Sequence, residues 1–583
     1  MEEINKLIAD NNFAQAKSKL EELLKTDNKN IEALKLFGLC YVNLGQYDEG
    51  RKVFETVVKY LPDDASSWFY LANCYDNLND LLHAKTAYLE VIKLRKEFID
   101  AYKNLCVVYV KSNQAEKAVE LGKKALETVQ DDYSIYYIIG TACMTLKNFE
   151  ESVYYLEKAL ELNPEHSQLY NNLGTCYVTI GNLDKAYENY LKASEYDPES
   201  SVTYFNIASI LQIQNKHKEA CEYFKKAYAK EPLDSYLIAL ALSEVKSGDI
   251  KSAIEHYKYL IVHYPEKHNF QYNLVCCYEM TGEYQLAVNI LQHLVMLNPK
   301  SVSMAHKLAN LYLKIKQPLY AKEIYEKILR QGNVSFELYY EFAHVCIMTN
   351  DLDRAEKILK KVIELNPEYA AAHKDLGVIY LTKRLFDYAK DEFEKAFKIN
   401  PQNFSILFEY ANYLHATNDF KNANDMYEKA LALEPENPNA LAFSALNKIQ
   451  LQDFEKAKEQ IDSALKFAND QPFLLFIAGK VRFLLKDYED AKMYLVKSFE
   501  LDKTDECENL LGLCYFESGN YEQANNIFKN LLEKNPMNIN ILLNSARCFE
   551  KTGDNSSALM QLEKAVEIFP DFEDAHELIR KLS

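Results

Sequence analysis

Apolar residues recur along the chain at helical spacing, and that pattern itself repeats every 34 residues. Between Ser167 and Ser200, Tyr170, Leu173, Gly174 and Tyr177 fall at i, i+3, i+4 and i+7, one face of a helix. Gly181 and Asn182 interrupt that face. Leu183, Ala186, Tyr190 and Ala193 then mark a second amphipathic helix, and Pro198 closes it because proline cannot continue a helix interior. The pattern predicts two helices per 34 residues. A fixed period of this length signals a stack of like units, each touching its neighbours, rather than one globular mass.

Stepping in register gives repeat starts at Ile31, Ala65, Ile99, Tyr133, Ser167, Ser201, Asp234 and His268. The series continues at Val302, Phe336, Ala370, Phe404, Pro438, Pro472, Asp505 and Ile539, with loops one residue short before Asp234 and Asp505. A shortened copy with Phe13, Ala16 and Leu20 in register precedes Ile31, which makes about 17 repeats. Residues 1–30 are the partial N-terminal repeat. Repeats one to nine occupy 31–335 and repeats ten to sixteen occupy 336–572. Residues 573–583 read as a C-terminal capping helix, with Ala575, Leu578, Ile579 and Leu582 on one face and Glu577, Arg580 and Lys581 polar. The array is therefore expected to finish inside this chain, as a solenoid terminus requires a polar outer face.

The punctuation fits this register. Of 14 prolines, 11 stand at repeat position 32. Six of 15 glycines stand at position 8, where the two helices cross, and six at position 15, the turn between them. Position 20 is Ala throughout except at Gly50 and Ser152, since a packed core does not absorb extra methylenes freely. Trp68, Leu71, Ala72, Tyr75, Ala84 and Tyr88, and the copy running from Tyr170 to Pro198, carry a pattern that resembles the tetratricopeptide repeat family. The resemblance covers essentially the whole chain. It implies an all-α, right-handed superhelix, a solenoid whose first helices line an inner concave groove. It also implies a non-enzymatic protein–protein interaction scaffold. Local departures are Lys96, Gln130, Asn333, Asn469 and Lys503, which replace the closing proline.

The net charge of −19 argues against nucleic acid and anionic lipid as partners. No apolar run approaches the length of a membrane span. The opening MEEINKLIADNNF lacks the basic and apolar regions of a secretory signal. Six of the 12 cysteines, Cys40, Cys74, Cys176, Cys277, Cys514 and Cys548, share position 10, which suits a small core residue better than a metal or a disulfide. Unpaired thiols favour a reducing compartment, so a cytoplasmic location is expected, and no cofactor is.

If the first helices face the groove, as the resemblance implies, three of their positions stand out. Position 6 is Asn104, Asn172, Asn206 and Asn273. Position 5 is aromatic at Phe69, Tyr137, Phe205, Tyr272, Tyr340, Phe408 and Phe476, and position 9 adds Asn73, Asn310 and Asn412. An amide both donates and accepts, so a row of them suits the backbone of an extended peptide whatever its side chains. An inner Asn row resembles the peptide-binding superhelix on the O-linked N-acetylglucosamine transferase. Four net hydrogen bonds contribute about 2–6 kcal/mol, against an association cost of about 4–15 kcal/mol. The aromatics would supply the rest. The alternative is that the amides are solvated and the rings serve inter-helix packing.

From Phe336 onward position 6 turns acidic at Glu341, Asp375 and Glu409, at 34-residue steps. Repeats ten to twelve are thus expected to offer either a strip for a basic segment or merely an exposed acidic face. Reversing these three to Lys is expected to weaken a basic ligand and leave folding intact. Lys35, Lys103 and Lys374 are followed at position 9 by Leu39, Val107 and Val378, so the family's carboxylate clamp is absent in its usual form. His306 and His344, near Glu341, are too few for a metal site. A second reading of the chain is an accessory or targeting subunit of a catalytic machine, such as a glycosyltransferase or a protein-export complex. A structural spacer and self-association through terminal repeats stay open.

Overall fold

Every repeat start read from the sequence is the first residue of a helix. The computed structural model describes residues 1–128, 132–332 and 334–583, so Gln130 and Asn333 lie outside the described residues. Among the described residues there are 35 α-helices and no strand. They pair as expected: Ser167–Ile180 packs on Leu183–Tyr196, and Phe404–Ala416 on Phe420–Leu433. Short polar side chains start many of them. Asp64 Oδ2 accepts from the Ser67 amide at 3.2 Å, and Asn437 Oδ1 from the Ala440 amide at 3.1 Å. Such caps satisfy amides that have no partner within the helix.

The turn inside each hairpin has one recurrent backbone feature. Position 15 is left-handed in every repeat, from Asn11 at φ 56° to Gly553 at φ 83°. Glycine takes this conformation without steric penalty, and Asn tolerates it. Lys147, Lys316, Arg384, Gln452 and Lys486 adopt it as well. The turn is thus imposed by helix pairing, and glycine is a convenience there. At position 8 glycine answers a real contact. A Cβ on Gly174 would lie 2.6 Å from the Tyr190 ring, and one on Gly479 would lie 2.5 Å from Leu495. The large residue at position 24 therefore packs onto the bare backbone of the first helix, and the fully buried alanines of position 20 let the two helices close.

The chain divides into two compact units, Met1–Leu297 and Asn298–Ser583. In the first, successive hairpins bury small clusters such as Ala84, Tyr88, Val91, Leu105 and Val108. In the second, Ala457, Ile461, Ala464, Leu474 and Ile477 form an equivalent cluster. The helix Glu573–Leu582 lays Ala575, Leu578, Ile579 and Leu582 against Leu543 and Leu562 of repeat sixteen. Within each unit the first helices of consecutive repeats also touch one another. Ile99–Lys111 meets Tyr133–Thr145, and Phe404–Ala416 meets both Ala370–Thr382 and Pro438–Gln450. Helices that meet across repeats lie on the inside of a curved stack, so each unit presents its first helices on an inner face. Eleven of the 12 cysteines are buried, and Cys276 is half-buried. No helix is long and apolar enough to cross a membrane.

Candidate partner-binding face

The first-helix residues singled out above form two kinds of surface, and buried tyrosines decide which. At position 24 of several repeats a tyrosine rises through the hairpin core and delivers its hydroxyl to the first-helix face. Tyr88 donates to Asn73 Oδ1 at 2.6 Å, and Asn104 Nδ2 of the next repeat donates to the same oxygen at 3.1 Å and to the hydroxyl at 3.3 Å. Asn273 Nδ2 donates to the Tyr257 hydroxyl at 3.3 Å, and Thr175 shares a 3.0 Å bond with that of Tyr190. Tyr427 donates to Asn412 Oδ1 at 2.7 Å, whose Nδ2 reaches Glu409 at 3.2 Å. These bonds orient amides across the repeat junction and leave each with spare hydrogen-bonding capacity. Asn172 Oδ1 accepts from Gln168 Nε2 at 3.2 Å, which leaves its amide donors available. Asn206 is half-buried and makes no side-chain bond among the described residues.

The aromatics at position 5 are half-buried and packed toward the next repeat. Phe69 lies 4.9 Å from the Phe98 ring, Phe205 is stacked at 4.9 Å on Tyr236, and Tyr137 sits 5.7 Å from the His166 ring. Phe408 lies 5.6 Å from Phe443, edge to face. Tyr272 is half-buried on the same row. These rings brace the repeat junctions.

The three acidic residues differ in burial: Glu341 and Glu409 are half-buried, and Asp375 is buried. Asp375 is only 6% exposed. Its carboxylate accepts from the Tyr340 hydroxyl at 2.7 Å, pairs with Lys374 at 2.7 Å and lies 3.2 Å from His344 Nε2. Burial pushes the Asp375 carboxyl up, but the bonds from His344, Lys374 and Tyr340 outweigh it and hold the group below its ordinary range. Glu341 is bound by His306 and by the Tyr325 hydroxyl at 2.7 Å, and His306 in turn lies 3.2 Å from Asn310 Nδ2. Burial, and then the neighbouring carboxylate, push both tyrosine hydroxyls up: Tyr325 beside Glu341, and Tyr340 beside Asp375. The two histidines therefore do not converge on Glu341. Each reaches the acidic residue at position 6 of the following repeat. Among the described residues no group of three His, Cys, Asp or Glu could hold a metal ion.

Position-5 lysines are engaged in the same way. Lys35 pairs with Asp64 at 3.1 Å and Lys103 with Asp132 at 2.7 Å. Sequence reasoning missed the tyrosine hydroxyls, although a signal existed. Where position 24 is Tyr, position 9 of the same repeat is Asn or Thr in four cases, Asn73, Thr175, Asn310 and Asn412. It also missed that positions 5, 6 and 9 carry no charge from repeat four to repeat eight, in a chain that is 26% charged. Thr175 and Leu242 of that band are exposed.

The fold and this face define a class: an all-α array of helical hairpins with a continuous first-helix surface in each unit, the build of a protein-interaction scaffold. The chain belongs to the tetratricopeptide repeat family. Tetratricopeptide repeat models match residues 7–73, 65–98, 133–166, 155–188, 202–229, 238–299, 336–369 and 515–582. A model described as the cytochrome c-type biogenesis protein H TPR domain matches residues 366–472. No curated protein sequence matches the chain. Among solved structures, the APC/C hetero-tetramer Cut9–Hcn1 is 16% identical, covering 96% of this chain and 98% of that one, with a TM-score of 0.38. YrrB, titled as a TPR protein with an unusual peptide-binding site, is 24% identical over 33% of this chain and 97% of that one, with a TM-score of 0.29. A tetratricopeptide repeat protein from Parabacteroides merdae is 19% identical over 42% of this chain and 98% of that one, with a TM-score of 0.35.

Proposed function

We propose that the chain is a non-enzymatic scaffold that holds an extended, uncharged partner segment along the first helices of repeats three to eight. The observation that carries this reading is the run from repeat four to repeat eight with no charge at positions 5, 6 and 9, in which Asn172 and Asn206 keep unused hydrogen-bonding capacity, flanked by Asn104 and Asn273, which tyrosine hydroxyls hold in place. Amides fixed in direction lose little entropy on binding, which raises what each hydrogen bond contributes. Val202 and Leu242, both exposed, add apolar contact along the same row. The face divides: it is amide-rich before Val302 and charge-paired after Phe336. Eleven buried free thiols suit a reducing compartment, and the cytoplasm is the location proposed.

The test is capture by the intact chain, repeated with Asn172, Asn206 and Asn273 all changed to Ala. The captured segment, made as a synthetic peptide, should bind the variant more weakly by about 1.5–4.5 kcal/mol, three hydrogen bonds at about 0.5–1.5 kcal/mol each. Equal affinity for the two proteins would remove the first-helix face as the binding surface.

A further inference from the structure

A cleft of about 360 Å³ opens where the first helix of repeat two meets the second helices of repeats one and two. Trp68, Tyr75 and His83 wall it, with Glu55 beside them and the buried Val58 and Leu71 at its base. Trp68 is the single tryptophan of the chain. Its indole N–H donates to the Pro62 carbonyl at 2.9 Å, which fixes the plane of the ring. Tyr75 follows seven residues later on the same helix and is stacked on His83 at 5.2 Å. Seven residues of helix span about 10 Å, so a cation between the two rings is within reach of both, since a ring attracts a cation out to about 6 Å from its centre.

Elsewhere the chain covers these ring positions with its own lysines. From position 19, Lys117 lies 5.9 Å from the centre of Tyr109, and Lys185 lies 5.2 Å from that of Tyr177. From position 26, Lys192 lies 5.6 Å from the centre of Tyr170, and Lys226 lies 5.8 Å from that of Tyr204. In repeat two the same positions are His83 and Glu90, so Trp68 and Tyr75 have neither lysine. Indole is the strongest cation-binding ring among the side chains. The other polar groups of the cleft are largely spent. The Tyr75 hydroxyl donates to Glu55 Oε1 at 2.8 Å, and the Thr86 hydroxyl donates to the Leu82 carbonyl at 3.1 Å. Arg51 also donates to Glu55 Oε1, at 2.7 Å, while the second oxygen of Glu55 accepts no hydrogen bond among the described residues. Lys59, at the edge, is exposed, and its long stem keeps the charge in water. Two rings, an aliphatic base and one open carboxylate oxygen suit a cation that has no N–H to satisfy. An ordinary ammonium carries three donors and would leave water for too few acceptors.

We propose that this cleft binds the trimethylated ammonium of a lysine side chain in a partner polypeptide, its methyl groups against Val58 and Leu71 and its charge between Trp68, Tyr75 and Glu55. The source is a polypeptide because the chain is built as a protein-interaction scaffold. The site is separate from the first-helix face of repeats three to eight and does not depend on what that face holds.

The fluorescence of Trp68 reads the site directly, because no other tryptophan contributes. The full chain is titrated with N-acetyl-trimethyllysinamide, with its tert-butyl isostere, which has carbon in place of nitrogen and no charge, with N-acetyl-lysinamide, and with choline. A saturable change is expected with the trimethyllysine probe, at an affinity about tenfold above those of the neutral isostere and the unmethylated lysine. His83→Lys combined with Glu90→Lys restores the lysines of repeat five and should abolish the response, with helicity unchanged. Absence of a saturable change in the unaltered protein overturns the proposal, as does equal affinity for the trimethyllysine probe and either of those two. Full affinity in the doubly substituted chain overturns it as well. Tighter binding of choline than of the trimethyllysine probe would assign the cleft to a free quaternary amine or a lipid headgroup, and would overturn it too.

Discussion

The inner faces of the two units use the same repeat positions to opposite ends. In repeats three, five, six and eight, position 6 holds a neutral amide, and core tyrosines touch two of them, as Tyr257 touches Asn273 at 3.3 Å. In repeats ten to twelve, position 6 holds carboxylates, and donors on the neighbouring helices turn toward two of them. His306 and Tyr325 bind Glu341, while Tyr340, His344 and Lys374 surround Asp375. A charge drawn into a junction must be answered there, because an unpaired buried carboxylate costs far more than an unpaired amide. Glu341 and Asp375 are consequently engaged across repeat junctions, and the neutral face keeps the spare donors and acceptors on which the proposed function draws. The net charge of the chain says little about which surface meets a partner.

Charge reversal separates the two roles most strongly. Asp375→Lys would place an ammonium beside Lys374 and orphan Tyr340 and His344, so a loss of about 3–5 kcal/mol is expected in chemical denaturation of the second unit. Glu409→Lys, whose carboxylate has a single amide partner in Asn412, should stay within about 1 kcal/mol of the parent. The expectation that all three acidic residues can be reversed without harm to folding is therefore revised at Asp375, whose side chain is buried and partnered.

A smaller effect comes from deleting single hydroxyls. Tyr325→Phe removes a donor to the Glu341 carboxylate and should cost about 1.5–3 kcal/mol, whereas Tyr190→Phe, which loses a neutral bond to Thr175, should cost about 0.5–1.5 kcal/mol. Equal losses would mean that carboxylates add nothing to the second junction.

Acid sharpens the contrast further. The Asp375 carboxyl is held below its unfolded value, near about 3.9, so it adds stability at pH above that value and loses it as pH falls through the folded one. The stability difference between the parent and Asp375→Asn should therefore be full at about pH 6 and shrink below about pH 4. Denaturant midpoints across that range measure it, and a difference independent of pH would place the effect in packing rather than charge.

Period, hairpin ends and core positions were legible in the sequence because they follow from helical spacing and from the few residues that fit position 8, position 20 and the closing turn. Side-chain partnership was not. Glu341, Asp375 and Glu409 look alike at 34-residue steps, yet their burial differs with what the neighbouring helix offers: a lysine and two donors around Asp375, an amide beside Glu409. Nor did spacing reveal that His344 reaches one repeat forward. The tyrosines at position 24 read as plain core because their rings are buried, while their function in the junction lies in one terminal atom.

The division of the inner face is tested most directly by selecting extended peptides from a random library with the intact chain and measuring their affinities from low to high salt. The account predicts selected segments without charge, affinities flat with salt, and loss of binding when Asn172, Asn206 and Asn273 become Ala. Enrichment of basic segments whose binding fades with salt and with Glu409→Gln, but survives the three Asn changes, would contradict it.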